Sequence, residues 1–424
     1  MVGLLPAAGL LRADQQAWPA PANAGLSDTA DPTFDDHVEP AAMYLQQPAD
    51  DRAAAPQSTL QRRAPRTLRE ANVRLASLPN MFGDLGMAGV GIALGGNPGD
   101  PTGQDRPTLA NFTLPTSQSL RSVKMAENDT SLPVDRVFFN YNHFHNAFGI
   151  SQQPLFPPGQ PPLVRQQSVD RFTLGAEKTF CDGWNSIELR MPFNGTYDTA
   201  LDAVGVDGGN IGNLAVIFKH LLYLDDRFGT GIGLGIDTPT GSDTVARIGD
   251  ATYRFQNEAC RLLPYFGFVY SPGDPRMGWG DGLFLSAFAQ VDIATGGNTI
   301  LARNELTGTT LDVGKLTDQT LLYLDLAAGY WLYRDPCAER FTGLAAVAEV
   351  HYTTALQDAD IIQGPGPVLL GNLGNRFDVV NGTIGLQVLM FDASSLRVAG
   401  VFPLGDEDHR FFDSEVQVQF NRRF

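Results

Sequence analysis

The chain has 424 residues, with 45 glycines, 26 phenylalanines and a formal net charge of -17. Phosphate contacts need basic clusters, so this acidity excludes nucleic acid as a partner and suits solvated loops. No apolar run reaches the roughly eighteen residues of a transmembrane helix. A β-barrel stays open, because its strands alternate lipid-facing and lumen-facing residues and look hydrophilic to a hydropathy window.

Residues 1–24 read as an atypical signal segment. Met1 to Leu11 is apolar and Ala22-Asn23-Ala24 has the form of a signal-peptidase site, but a basic start is missing. Residues 25–79 read as a disordered linker, rich in Ala, Pro, Asp and Gln. Its end carries Arg62, Arg63, Arg66, Arg69 and Arg74 on a short helix that Pro65 would interrupt. Residues 80–134 are Gly-rich and then turn-rich, and are expected to form a plug or a periplasmic cap. Within them Gly89-Val90-Gly91 through Gly95 misses the dinucleotide fingerprint and reads as a turn or short strand. Cys181, Cys260 and Cys337 have neither metal-ligand spacing nor an even count, and read as incidental.

From Asp135 the pattern changes to strands. Twelve are expected, at 136–148, 170–180, 186–193, 213–224, 229–237, 261–270, 283–293, 318–334, 341–356, 377–391, 395–404 and 412–424. Ile187, Leu189, Met191 and Phe193 alternate with Glu188 and Arg190, giving one oily and one wet face. Such alternation fits a soluble sandwich equally well. The connections separate the two, running long, short, long, short from the first strand onward. The short ones are 181–185, 225–228, 271–282, 335–340 and 392–394. Long outer loops alternating with short periplasmic turns are the layout of an outer-membrane barrel. Trp184, Tyr223, Trp279, Tyr330, Trp331 and Tyr333 cluster in or beside the short turns and are expected to form an interfacial girdle. The expected fold is all-β: a transmembrane antiparallel up-and-down barrel of about twelve strands over 135–424, with a mostly irregular N-terminal extension.

Several segments resemble an uncharacterised set of planctomycete outer-membrane proteins. They are Leu78-Pro-Asn-Met-Phe-Gly-Asp84, Asp135-Arg-Val-Phe-Phe-Asn-Tyr-Asn142, Glu177-Lys-Thr-Phe180, Leu316 to Asp325, Gly329-Tyr-Trp-Leu-Tyr-Arg334 and Phe420-Asn-Arg-Arg-Phe424. The resemblance spans residues 78 to 424. It implies an exported, porin-like barrel integral to the bacterial outer membrane, with outer-membrane lipid and the barrel-assembly machinery as partners. It carries over no substrate or catalytic residue. Phe420 and Phe424 would form the assembly signal, in which Arg422 replaces the usual apolar residue two before the end.

The polar faces supply a candidate pore lining: Glu188, Arg190, Asp292, Asp325, Glu349, His351, Arg397, Glu415, Gln417 and Gln419. Pairing across the 335–340 turn is expected to set Asp325 opposite Glu349 and Tyr323 opposite His351. Two adjacent carboxylates would make a cation-selecting constriction or a weak metal site, against the plainer reading of a solvated charge ladder. Lys178 is expected to meet Glu188 in simple register, or Glu177 to do so if a bulge intervenes. Asp406 to His409, His143 and His145 read as solvated or interface polar groups, and His220 and Ser286 lie on opposite faces. No nucleophile elbow, zinc motif or glycosidase pair stands out, so neither enzyme, cofactor nor metal is expected. The expected function is passive passage of small solutes, cation-preferring if the constriction forms. The alternatives are a structural or surface-display barrel whose loops or N-terminal arm bind partners, and a lipid-acting barrel enzyme. The solute and the oligomeric state are not legible.

Overall fold

Period-2 alternation closes on itself in this chain. A computed structural model describes residues 75, 77–84, 90–94, 110–114, 123–152, 163–195, 199–201, 204–207, 211–272, 282–335, 337–366, 368–371, 376–391, 393–405 and 410–424. The expected signal segment, most of the linker, Trp279 and Asp406 to His409 lie outside the described residues. Twelve staves form the barrel: β1 (Arg136–Gln152), β2 (Leu163–Phe180), β3 (Asn185–Asn194), β4 (Ala215–Leu224), β5 (Phe228–Asp237), β6 (Arg261–Tyr270), β7 (Leu283–Ala294), β8 (Leu321–Arg334), β9 (Phe341–Ala355), β10 (Asp378–Met390), β11 (Ser394–Pro403) and β12 (Ser414–Arg423). Each stave pairs with the next, and β12 returns to β1 from Ser414–His145 down to Arg423–Arg136. Closure leaves no edge among the staves, as a barrel in lipid requires.

The outer face carries exposed Phe139, Leu174, Leu189, Phe266, Leu326, Ile384, Val398, Val416 and Phe420. An apolar band of this kind faces acyl chains. Phe424 is exposed at its lower rim. Arg422 also points outward, and its guanidinium donates to Ser394 Oγ at 2.9 Å. Trp184, Tyr223, Tyr330 and Tyr333 lie on the outer surface near the short turns. Trp331 does not belong to this girdle. It alternates with Tyr330, points inward at 7% exposure, and packs on Phe284 with ring centroids 6.1 Å apart.

The long connections are not plain loops. Three of them contribute hairpins to a six-stranded sheet, ordered 310–317, 297–304, 251–255, 244–248, 204–207, 199–201. The β9–β10 connection adds a further hairpin, 361–363 with 368–371. A fifth hairpin comes from the N-terminal region: 90–94 pairs with 368–371 and with 110–114, and 110–112 pairs with 150–152 at the top of β1. These strands make a crown on the long-loop side. Its apolar centre holds Tyr253, Phe255, Ile300, Leu316, Val368 and Leu370. The β11–β12 connection contributes no strand there among the described residues, and the N-terminal hairpin stands beside that gap.

Two N-terminal stretches, 77–84 and 123–134, lie buried inside the barrel. They pair with each other where the Met81 N–H donates to the Asp129 carbonyl at 2.8 Å and the Asn128 N–H to the Phe82 carbonyl at 3.1 Å. Their apolar residues Met81, Phe82, Met125 and Leu132 pack on Ile217, Leu221, Leu263, Phe288 and Val347 of the wall. The wall makes room by omitting side chains. On β5, alternate positions Gly229, Gly231, Gly233 and Gly235 carry none. A Cβ on Gly231 would lie 2.4 Å from the Ser131 carbonyl oxygen. Across the barrel, a Cβ on Gly385 would lie 2.5 Å from the Phe82 ring. Gly231→Val is therefore expected to destabilise the protein by about 1–3 kcal/mol through overpacking. The neighbouring Ile232→Val, which faces lipid, is expected to change little. Urea unfolding of both variants checks this, and an unaltered midpoint for Gly231→Val would show that Ser131 does not rest against β5.

Candidate functional site

The inner wall has a charged arc and an apolar arc. On the charged arc, near the short-turn end, Arg136 (β1), Glu177 (β2), Glu188 and Arg190 (β3) and Lys219 (β4) converge on Asp129 of the inserted chain, all at most 1% exposed. The Asp129 carboxylate accepts from Arg136 Nη2 at 2.7 Å, Lys219 Nζ at 2.5 Å and Arg190 Nη2 at 2.9 Å. Glu177 accepts from Arg136 Nε at 2.9 Å and Lys219 Nζ at 3.0 Å. Glu188 accepts from Arg136 at 2.9 Å and Lys219 at 2.8 Å, and pairs with Arg190 Nε. Three carboxylates meet three cations, so the cluster is neutral only with Asp129 in place. Asp129, Glu177 and Glu188 bring oxygens together as metal ligands would, but the same oxygens already face the three cations. That donor set does not fit an added metal ion.

Farther round, Glu349 (β9) accepts from the Phe82 N–H at 2.7 Å and the Gly83 N–H at 2.9 Å. Lys124 bridges Asp325 (β8), at 2.6 Å, and Asp84 of the inserted chain. Asn381 on β10 donates to the other Asp84 oxygen at 2.6 Å. His351 stands 2.8 Å from Asp325 and 3.2 Å from Glu349. On β11 and β12, Arg397 donates to the Asn80 and Met81 carbonyls and stacks 3.9 Å from the Phe82 ring centroid. Gln419 and Gln417 donate to the Phe82 and Gly83 carbonyls at 3.0 and 2.9 Å. The wall thereby satisfies the backbone of residues 80–83, which has few ladder partners of its own.

All ten residues assigned to the lumen from sequence are buried on the inner wall. Seven of them touch the inserted chain: Arg190, Asp325, Glu349, Arg397, Gln417 and Gln419 through the contacts just given, and His351 through Asp84 at 3.6 Å, whereas Glu188 meets only the wall cations Arg136, Arg190 and Lys219. Glu415 accepts from Asn142 at 2.7 Å, and Asp292 pairs with Arg261. The expected pairing across the 335–340 turn is off by two residues. Asp325 lies opposite His351, Ala327 opposite Glu349 and Tyr323 opposite Thr353. The ladder leaves the turn at Arg334–Gly343, three residues beyond the expected partner, and a bulge that skips Leu332 takes back one. Lys178 does not meet Glu188 either. Glu177 lies opposite Glu188 without a bulge, and Lys178 turns outward to Asp135 at 3.0 Å. Burial raises the Asp135 carboxyl, but the Thr179 N–H and Lys178 outweigh that and hold it below the ordinary range. His143 and His145 sit on the outer side of β1, near Asp170 at 2.8 Å and Ser168 at 3.3 Å. His220 faces outward to Asn185, whereas Ser286 is buried, so those two do not meet.

Asp84, Lys124 and Asp129 were missed by sequence reading because they lie on irregular chain with no periodicity. The alternating glycines of β5 were the available signal, since a smooth inner face marks a close backbone approach.

No protein-family model matches the chain, and no curated protein matches it in sequence. Among solved structures, an outer-membrane channel from Pseudomonas putida F1 is similar over 69% of this chain and 97% of its own, at 10% identity and a TM-score of 0.41. The translocator domain of the autotransporter NalP from Neisseria meningitidis is similar over 71% and 91%, at 10% identity and 0.39. The toluene transporter TodX of Pseudomonas putida is similar over 68% and 88%, at 11% identity and 0.33.

Removing Asp129 leaves three buried cations facing two carboxylates. Asp129→Asn is expected to lower stability by about 3–5 kcal/mol, as loss of one partner from a buried ion pair does. Asp129→Asn combined with Lys219→Met restores charge balance and is expected to recover part of that loss, read from urea midpoints in detergent.

Proposed function

We propose that the chain is a porin-like barrel of the bacterial outer membrane, of the type seen in the planctomycete set it resembles, which passes small solutes when its own N-terminal chain leaves the lumen. The apolar outer band and the short-turn ends of the staves support this location, with the short turns periplasmic. Residues 77–84 and 123–134 act as the plug. The observation that carries the reading is the charged arc, where the plug is held through carboxylates, guanidiniums and amides that water can replace.

Any cation preference is weak. The wall acids Glu177, Glu188, Asp237, Asp292, Asp325, Glu349 and Glu415 face a similar number of bases, Arg136, Arg171, Arg190, Lys219, Arg261 and Arg397. Asp84, Glu127 and Asp129 depart with the plug, against one cation, Lys124. Any preference falls to Asp325 and Glu349. The apolar arc favours a second reading, a sealed barrel that displays its crown to a partner. Met81, Phe82, Met125 and Leu132 would expose apolar surface on leaving.

Planar-bilayer conductance separates these readings. The full chain is expected to open rarely, and a chain lacking 75–134 to conduct steadily. A deletion variant that inserts and stays sealed would overturn the channel and leave display. In the conducting form, Asp325→Asn with Glu349→Gln is expected to shift the reversal potential in a salt gradient towards anions. An unchanged potential would remove both residues from ion selection.

A further inference from the structure

We propose that the two short ladders joining the N-terminal hairpin to the crown are the latch that keeps the lumen shut. The proposal rests on the gated-channel reading above. Ser77 accepts a hydrogen bond from Arg334 at 2.9 Å, so the inserted chain begins at the short-turn end of the barrel. Residues 80–84 lie against the wall within it. The paired strands 90–94 and 110–114 then stand beyond the lumen, in the crown. Residues 123–134 come back down to Asp135, which is tied to Thr179 beside the β2–β3 turn. The chain therefore passes through the barrel twice and is fastened at its far side.

This path restricts how the lumen empties. For both stretches to withdraw on the short-turn side, the hairpin must first part from its neighbours. For 77–84 to leave on the crown side, the whole preceding chain must follow through the barrel. The ladders to be parted are short. Residues 91–94 hold 368–371 through four register pairs, and 110–112 hold 150–152 through three. Two-stranded pairings of that size are marginal alone. The seam between β12 and β1 has ten pairs. The latch therefore parts well before the barrel does. An event on the outer face opens the lumen only if it frees the hairpin from both 368–371 and 150–152, and a change confined to the lumen does not.

Cysteine pairs across each ladder test this, in a chain with Cys181, Cys260 and Cys337 replaced by Ser. Asn111→Cys with Ser151→Cys closes one ladder, and Ala93→Cys with Leu369→Cys closes the other. Openings are driven in planar bilayers by voltage, and by urea below the barrel's own unfolding midpoint. Oxidation is expected to cut opening frequency about tenfold or more, and dithiothreitol to restore it, because the covalent link removes the parted state. Equal openings in oxidised and reduced forms of both pairs would overturn the latch while leaving the channel intact. A reduced form that stays shut where the chain lacking 75–134 conducts would also overturn it. Silence in all forms, the deletion included, would end the channel reading and the latch together.

Discussion

The neutral six-charge cluster around Asp129 is the constraint on which the interior depends. Arg136, Arg190 and Lys219 enter from three staves together with only two wall carboxylates, Glu177 and Glu188. In a dry lumen an unmatched cation costs several kcal/mol, so the wall demands one more anion at one place. Asp129 supplies it, and its neighbours are fixed as a result. Arg136 Nη1 donates to the Asn128 carbonyl at 2.6 Å, and Arg190 Nη1 to the Glu127 carbonyl at 2.9 Å. The partner stretch follows, because Met81 and Phe82 bond to Asp129 and Asn128.

Direction comes from charge and fit from shape. The apolar arc and the glycines of β5 offer a smooth surface that accepts Ser131, Leu132 and the Met125 side chain by volume, while Gln290 accepts from the Met125 N–H at 2.8 Å. Polar groups on β9, β11 and β12 then read the backbone of 80–83, and Arg397 stacks on the Phe82 ring as well. The two arcs divide the work between burial of apolar area and specification of register.

The barrel was largely legible in the sequence, because its staves obey a local rule. Ile187, Leu189 and Met191 alternate with Glu188 and Arg190 whatever surrounds them. Stave boundaries at 261–270 and 283–294 match the alternation to within a residue. What was not legible is non-local. The ladder starts three residues further along β9 than simple pairing expects and the bulge at Leu332 takes back one, so Asp325 meets His351 instead of Glu349, while Trp331 stays in step with the inward Asp325. The crown strands 244–255 and 297–317 were taken as loops, since they are short and lie among Gly, Asn and Thr. Lys124 and Asp129 find their meaning only from residues such as Asp325 and Lys219, 201 and 90 positions away, and no local pattern announces such partners.

The N-terminal hairpin standing at the gap above β11 and β12 bears on how the molecule is made. The seam of the barrel joins the last stave to the first, and just above it a segment synthesised before any stave binds the top of β1. A closed ring would have to admit a doubled chain with a hairpin at its head. It is simpler for the staves to be laid around that chain in turn, with Asp129 already among its cations when Phe420 and its neighbours finally dock. On this view the occupant of the lumen is a mandrel on which the cylinder is wound. The ring's closing register is then proofread by chain that was translated before any stave.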